Sequence, residues 1–153
     1  MSAAADEITD LVLEVFRLNG RLIAAGDALV GRIGLTSARW QVLGAIALQA
    51  HPLPVVRIAD AMGLTRQSVQ RIVDALAQDG LVVFRENPHH KRAKLAALTP
   101  KGLALFRAAM RLQKPWAGRL ADRLDRASLA TALNVLKALR ARLETGMTGD
   151  RPW

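Results

Sequence analysis

The apolar positions of the chain follow helical spacing over most of its length. Near the N-terminus they are Ile8, Leu11, Val12, Val15, Leu18 and Leu22. This spacing predicts one amphipathic helix from about residue 6 to residue 30. A second helix is predicted from Thr36 or Ser37, either of which can cap it. Further helices are predicted over residues 55–62, 65–79, about 100–123 and about 126–145. The pattern therefore predicts a mainly α-helical protein.

Two of the predicted helices are separated by a very short connection at residues 63–65. Gly63 suits the left-handed residue just past the end of a helix. Thr65 suits the cap of the next helix, because its hydroxyl can accept a hydrogen bond from a free N–H group of the first turn. Only Leu64 lies between them. Two helices joined this tightly, with a glycine in the turn, are typical of a helix-turn-helix.

The helix after Thr65 has one apolar face and one polar face. Val69, Ile72, Val73 and Leu76 form the apolar stripe, so the opposite side should face solvent. A helix is narrow enough for the major groove of B-DNA, where Gln and Arg can each bond a base edge through two atoms. The residues predicted to bind DNA from this helix are Thr65, Arg66, Gln67, Ser68, Gln70 and Arg71. Asp74 is expected to pair with Arg71 or to lie beyond the groove.

Two short apolar runs, residues 81–86 and 94–98, predict a β-hairpin whose connection is strongly basic. A hairpin of this kind after a helix-turn-helix is a wing, and cations at its tip can reach the DNA backbone or the minor groove. The wing residues predicted to bind DNA are His90, Lys91, Arg92 and Lys94. The fold class is thus a winged helix-turn-helix with a two-stranded β wing at residues 35–99. Residues 1–34 and 100–147 form a helical region, and residues 148–153 are predicted to be a flexible tail.

The net charge of +9 is unevenly distributed, which points to a polyanionic partner. It is −1 over residues 1–56, +4 over residues 57–101 and +6 over residues 102–153. The alternative is that arginines simply keep an Ala-rich helical protein in solution. Binding to DNA should weaken steeply with salt, whereas a helical protein-interaction module with an incidental basic wing should not show that dependence.

Several classes of protein are disfavoured by what the sequence lacks. The absence of cysteine excludes disulfides and thiolate metal sites, and three histidines are too few for a zinc site. No apolar run approaches the roughly 20 residues of a membrane span, and the N-terminus does not resemble a signal peptide. No arrangement of catalytic residues stands out. We therefore expect a cytoplasmic, non-enzymatic protein without a metal or cofactor.

Three segments of the chain resemble the MarR family of bacterial transcription regulators. They are LTSARWQVLGAI, GLTRQSVQRIVDAL and HHKRAKLAALTPKG. The resemblance implies a homodimer formed by the N- and C-terminal helices, a pseudo-palindromic operator in double-stranded DNA, and repression of transcription. It also implies release of DNA when a small, often aromatic, molecule binds. By resemblance Arg92 is the wing arginine, and His90 stands where the family often has an acidic residue. We expect protonation of His89 and His90 to strengthen DNA binding in mild acid.

Two further sets of residues are predicted with less specific signals. Ser37 and Arg39 are expected to contact the DNA backbone. Arg17 and Trp40, with Arg39, are candidates for an effector pocket, because an aromatic acid needs an apolar wall and a cation. A regulator that binds DNA without any ligand remains the alternative.

Overall fold

The computed structural model describes residues 3–49 and 51–147, and it is a mainly helical winged helix-turn-helix as predicted. Its helices are α1 Ala3–Val30, α2 Ser37–Ala47, α3 Val55–Met62, α4 Arg66–Gln78, α5 Pro100–Ala121 and α6 Arg126–Met147. Its strands are β1 Leu53–Pro54, β2 Val82–Arg85 and β3 Leu95–Leu98. The predicted flexible tail, residues 148–153, lies outside the described residues.

The chain divides into two compact units, Met1–Lys114 and Pro115–Trp153. The first unit holds α1 to α4, the sheet and the first part of α5, while the second holds the rest of α5 and α6. Within the described parts of the chain, no helix is both long enough and apolar enough to cross a membrane.

The turn between α3 and α4 has the geometry expected from its sequence. Gly63 adopts a left-handed conformation with φ +64°, and the amide of Leu64 donates to the carbonyl oxygen of Ala59 at 3.1 Å. These contacts satisfy carbonyl groups at the end of α3. Thr65 then returns to an extended conformation with φ −71° and ψ 146°, and α4 begins at the next residue. The predicted helix-turn-helix is therefore present.

The sheet has three strands, although the sequence predicted two. The strand order is β1-β3-β2, and both pairs are antiparallel. Strand β1 pairs Leu53 with Ala96 and Pro54 with Leu95. The two prolines of the segment HPLP, residues 51–54, gave no sign of a strand, yet its second half pairs with β3. Proline is tolerated here because β1 is an edge strand, where its missing N–H removes no bond to a further neighbour.

A hydrophobic core joins α2, α3 and α4. Leu43, Ile58 and Leu76 are its largest completely buried side chains, one from each of these helices. Burying a side chain of this size stabilises the fold by roughly 1.5–3 kcal/mol relative to leaving it exposed. The core therefore fixes the position of α4, the helix predicted to bind DNA.

The C-terminal part of α1 is held against the start of α2. The hydroxyl of Ser37 donates to the carbonyl oxygen of Ile23 at 2.8 Å, and its amide donates to Asp27 Oδ1 at 2.7 Å. A side chain at Gly26 would overlap the hydroxyl of Ser37, so glycine is required for this close approach. By contrast, the apolar stripe on the N-terminal part of α1 stays largely exposed, with Val12 and Val15 among its exposed residues.

The start of α5 is anchored on the end of α4. The hydroxyl of Thr99 donates to the carbonyl oxygen of Gly80 at 2.7 Å, and Lys101 Nζ donates to that of Asp79 at 3.0 Å. The amide of Thr99 donates to the carbonyl oxygen of Leu81 at 3.1 Å. Gly102 is buried against the same carbonyl group, which a Cβ atom would overlap. The backbone at the base of the wing is thus tightly packed.

Helix α6 begins with a carboxylate cap in the second unit. The amide and hydroxyl of Ser128 both donate to Asp125 Oδ2 at 2.9 Å. These hydrogen bonds, with one from the Ala127 amide, hold the pKa of Asp125 below its ordinary value. Because the folded-state pKa is lowered, this contribution to stability is present above the ordinary carboxyl pKa and is lost as pH falls through the lowered value.

Candidate nucleic-acid interface

Helix α4 begins with a hydrogen-bonded cap beside its exposed first turn. Thr65 Oγ1 accepts a hydrogen bond from the amide of Ser68 at 3.2 Å, and the Thr65 hydroxyl donates to Ser68 Oγ at 2.9 Å. Arg66 and Gln67 are exposed next to this cap. The cap satisfies one of the free N–H groups at the start of the helix and leaves others available. A phosphate can bind at such an end, where the helix dipole is positive.

The two faces of α4 have the orientation that the sequence predicted. Val69, Val73 and Leu76 are completely buried. Gln67 and Arg71 are exposed on the other side. Within residues 3–49 and 51–147, neither of these two side chains has a hydrogen bond or an ion pair. Both are therefore free to meet another molecule.

Asp74 has a different partner from the one we expected. Gln70 Nε2 donates to Asp74 Oδ1 at 2.9 Å, one helical turn away. The predicted pairing of Asp74 with Arg71 is not formed. The amide nitrogen of Gln70 has a second N–H group, so this N–H and the carbonyl oxygen of the amide stay available to a base edge while the bond to Asp74 orients the side chain. The polar face of α4 is thus divided between a Gln70–Asp74 pair and an unpaired Arg71.

The wing tip is a series of turns held by side chains of the tip itself. Asn87 Oδ1 accepts from the amide of His89 at 3.0 Å, and the Asn87 carbonyl oxygen accepts from the amide of His90 at 3.2 Å. Lys91, Arg92 and Lys94 are exposed. Across the described residues, no group of three or more His, Cys, Asp or Glu side chains could hold a metal ion. The tip therefore presents its cations on an ordered turn.

A groove of about 570 Å³ separates α4 from the wing. Helix α4 contributes Arg66, Gln70 and Asp74 to its wall, and the wing contributes His90, Arg92 and Lys94. Three of these side chains carry a positive charge and one carries a negative charge. Cations that belong to two different elements thus face one open groove, an arrangement that suits a polyanion.

Ser37 and Arg39 are engaged within the protein, although we expected them to contact the DNA backbone. Ser37 is only 4% exposed, and both its amide and its hydroxyl donate to α1. Arg39 Nη1 lies 2.7 Å from Asp79 Oδ2 at the end of α4. This ion pair links α2 to α4. The burial of Ser37 and the pairing of Arg39 argue against the predicted backbone contacts, and we leave both out of the interface.

The residues predicted to bind an effector do not form a common site. Arg17 is highly exposed on α1 and lies 3.6 Å from Glu14 in the preceding turn. Trp40, on α2, is half-buried, and its ring lies close to Gly26 of α1. Gly26 is nine residues from Arg17, about 13 Å along α1 at 1.5 Å per residue. No observation on Arg17 or Trp40 therefore supports an effector pocket.

Several groove residues were not predicted from the sequence. Pro54, Val55, Val56 and Phe84 line the groove together with Asn87. The apolar ones come from β1, α3 and β2, and β1 and β2 flank β3 in the same sheet. Asn87 could have been identified, because an Asn before a proline favours a turn. The apolar residues had no such signal.

Comparison with known proteins agrees with this geometry. Residues 33–93 match a family model described as MarR family. An uncharacterised protein of Mycobacterium tuberculosis is 36% identical over 148 residues, which cover 97% of this chain and 99% of the relative. Solved structures extend the likeness over the whole fold. CouR from Rhodococcus jostii RHA1, bound to p-coumaroyl-CoA, is 26% identical with a TM-score of 0.76, covering 91% of this chain and 95% of that one.

A second solved structure shows the fold at lower identity. The transcriptional regulator BldR from Sulfolobus solfataricus is 20% identical with a TM-score of 0.82, covering 93% of this chain and 99% of that one. The family model matches the helix-turn-helix and most of the wing, and the other comparisons extend over the terminal helices. The chain belongs to the MarR family of winged-helix transcription regulators.

Proposed function

We propose that this protein is a sequence-specific regulator that binds double-stranded DNA as a homodimer and represses transcription. The observation that carries the proposal is the groove between α4 and the wing, where Arg66 faces Arg92 and Lys94 across an open space. A duplex places phosphates on both sides of its major groove. Cations on both walls of the groove between α4 and the wing can therefore bind the phosphates of one strand while the exposed face of α4 meets the bases.

Base recognition is assigned to Gln67 and Arg71. Both are exposed, and neither has a partner within the described chain, so both can bond a base edge without first losing a contact. Gln suits adenine and Arg suits guanine. Gln70 is half-buried, and its bond to Asp74 orients its amide, whose second N–H and carbonyl oxygen can still meet a base. Thr65 and Ser68 shape the start of the helix and offer its free N–H groups to a phosphate.

Phosphate contacts are assigned to Arg66 and to the wing residues Lys91, Arg92 and Lys94. These side chains are exposed, and Arg66, Arg92 and Lys94 line the groove between α4 and the wing. Contacts of this type orient the protein on DNA without reading its sequence. They should also make binding strongly dependent on salt.

Dimerisation is supported by apolar surface that the single chain leaves uncovered. Ile8, Val12, Val15 and Leu22 on α1 are exposed, as are Leu129, Leu133, Leu136 and Leu143 on α6. A symmetric dimer would bury such surface. Its operator should then be an imperfect palindrome with half-site centres about 10 bp apart.

The proposed division between base and phosphate contacts is tested by alanine substitutions. Arg71→Ala and Gln67→Ala should each reduce discrimination between operator and unrelated DNA by roughly 1–3 kcal/mol. Lys91→Ala and Lys94→Ala should weaken binding to all duplexes about equally and should flatten the salt dependence. Binding isotherms on a selected operator and on scrambled DNA, at several salt concentrations, measure both effects. Unchanged affinity and preference in Arg71→Ala would contradict the assignment of α4.

An aromatic small molecule is proposed to release the DNA. The support is family membership, together with the binding of p-coumaroyl-CoA by CouR, which is 26% identical to this chain. The family's mode of action also supports a cytoplasmic location, with no catalytic activity and no cofactor. The binding residues are not assigned, because Arg17 and Trp40 do not converge.

The effector proposal predicts a change in thermal stability. At a concentration 100 times its Kd, a ligand that binds only the folded protein should stabilise it by about 2.7 kcal/mol. A panel of phenolic and aromatic carboxylates and their coenzyme A thioesters should therefore contain compounds that raise Tm and also release the operator. Compounds that raise Tm without releasing DNA would argue against control by this ligand class. A panel without any response would favour a ligand-independent regulator.

A further inference from the structure

His90 sits at the tip of the wing with one ring nitrogen directed at the backbone. We propose that the neutral imidazole of His90 is a positioning group, which holds the wing tip in its DNA-binding shape. Protonation of this ring should then loosen the tip and weaken DNA binding. The inference rests on the proposed function, because it assigns a regulatory role to part of the same interface.

The geometry of the tip carries the proposal. The amide of Ala93 donates to His90 Nδ1 at 3.2 Å and shares its hydrogen with the carbonyl oxygen of His90, also at 3.2 Å. The preceding turn is closed in a similar way, since Asn87 accepts through both its side chain and its carbonyl oxygen. Side-chain acceptors at Asn87 and His90 therefore close two successive turns, and the exposed cations Lys91 and Arg92 lie within the second turn.

The chemistry of imidazole fixes the protonation state that this geometry needs. A backbone amide can only donate, so Nδ1 must carry a lone pair, and the proton of the neutral ring must be on Nε2. Protonation adds a hydrogen to Nδ1. Two donors would then face each other at Ala93, and the turn would keep only the backbone hydrogen bond to the carbonyl oxygen of His90. Protonation therefore removes one of the two acceptors that hold this turn.

Charged groups of two elements share the groove with this ring. Helix α4 contributes Arg66 and Asp74, and the wing contributes Arg92 and Lys94. Lys91 and His89 are its immediate neighbours in sequence. A test must leave all of these groups in place, because each would alter DNA binding by its own charge.

The geometry reverses the pH dependence that the sequence alone predicted for this residue. A protonated His90 adds one positive charge to an exposed tip that already has three cations, and salt screens that charge beyond about 8 Å. Loss of the side-chain acceptor, in contrast, loosens the turn that carries both Lys91 and Arg92. We therefore expect the loss of positioning to exceed the gain in charge.

The experiment compares His90→Asn, His90→Ala and the wild type at pH 8 and pH 6, at constant ionic strength. Asparagine keeps an acceptor oxygen near the position of Nδ1 and does not titrate, whereas alanine has no acceptor. At pH 8 the wild type and His90→Asn should bind the selected operator within twofold of each other, and His90→Ala about three- to fivefold more weakly. At pH 6 the wild type should become about three- to fivefold weaker than His90→Asn. His89→Asn should retain the pH dependence of the wild type.

A second measurement needs no DNA. At pH 8, hydrogen exchange at the Ala93 amide should be faster in His90→Ala than in the wild type or in His90→Asn. Equal exchange rates in the three proteins would overturn the positioning role. So would a wild type that equals or exceeds His90→Asn in affinity at pH 6. If the wild type binds no duplex with sequence preference, the proposed function fails, and the exchange rates still decide the role of His90.

Discussion

Replacing Val15 with glutamate is expected to dissociate the dimer and to reduce operator affinity by at least about 100-fold. Val15 belongs to the exposed apolar stripe of α1. A carboxylate buried in the interface would have no cationic partner on this apolar stripe, and an unpaired buried charge is strongly destabilising. Separate subunits must then bind the two half-sites independently. Linking two binding sites raises the overall affinity by a factor of roughly 10² to 10⁴, and this gain would be lost. Sedimentation velocity at micromolar concentration and operator titration measure the two effects.

Leu13 offers a matched control on the same helix. It is exposed to a similar degree, at 46% against 37% for Val15. At about 100° per residue, however, the two side chains lie on nearly opposite sides of α1. Leu13→Glu should therefore leave both the dimer and its operator affinity nearly unchanged. A wild type that sediments as a monomer would refute the dimer itself, whereas a dimeric Val15→Glu would show that this stripe is not the interface.

Replacing Gly102 with alanine should destabilise the fold by about 3 kcal/mol, near the upper end of penalties for overpacking. The new Cβ would overlap the carbonyl oxygen of Leu81 and lie 2.9 Å from its carbonyl carbon. Both neighbours are backbone atoms, so no side chain can rotate to relieve the overlap. Since Leu81 immediately precedes β2, the wing should also shift. Urea unfolding measures the loss of stability, and operator titration measures the effect on the wing.

Gly118 lies in the same helix, and replacing it with alanine should have the opposite effect on stability. A Cβ at this position has no atom within 4 Å, and the residue is exposed. Alanine loses less backbone entropy than glycine when it folds into a helix, so Gly118→Ala should stabilise the protein by roughly 0.5–1 kcal/mol. A Gly102→Ala variant as stable as Gly118→Ala would mean that the contact with Leu81 is looser than the structure indicates.

The helices and their orientation could be predicted because their signals are local. Gly63 and Thr65 specify a turn and a cap within a few residues, and the structure has both. The stripe that contains Val69 and Val73 specifies which side of α4 is buried. Each of these features depends on neighbours in sequence, so periodicity and capping rules were sufficient.

The features that were missed depend on distant or competing partners. Strand β1 is two residues long, includes a proline, and exists because Leu95 and Ala96 lie beside it. The pairing of Arg39 with Asp79 spans 40 positions in the sequence. Asp74 had two possible partners on its own helix, and both spacings place side chains within reach. The sequence alone could not decide between them, because the outcome depends on the side-chain rotamers in the folded protein.

The pairing of β1 with β3 also has a consequence for the order in which the protein folds. Leu53 and Ala96 close a segment that contains α3, α4 and β2. For a flexible loop of this length, closure costs on the order of 3 kcal/mol in entropy, while a two-residue strand with a proline supplies few hydrogen bonds of about 1 kcal/mol each. We therefore expect the pairing to form after the helices inside the loop have packed. A complete three-stranded sheet would then require α4 to be in place already.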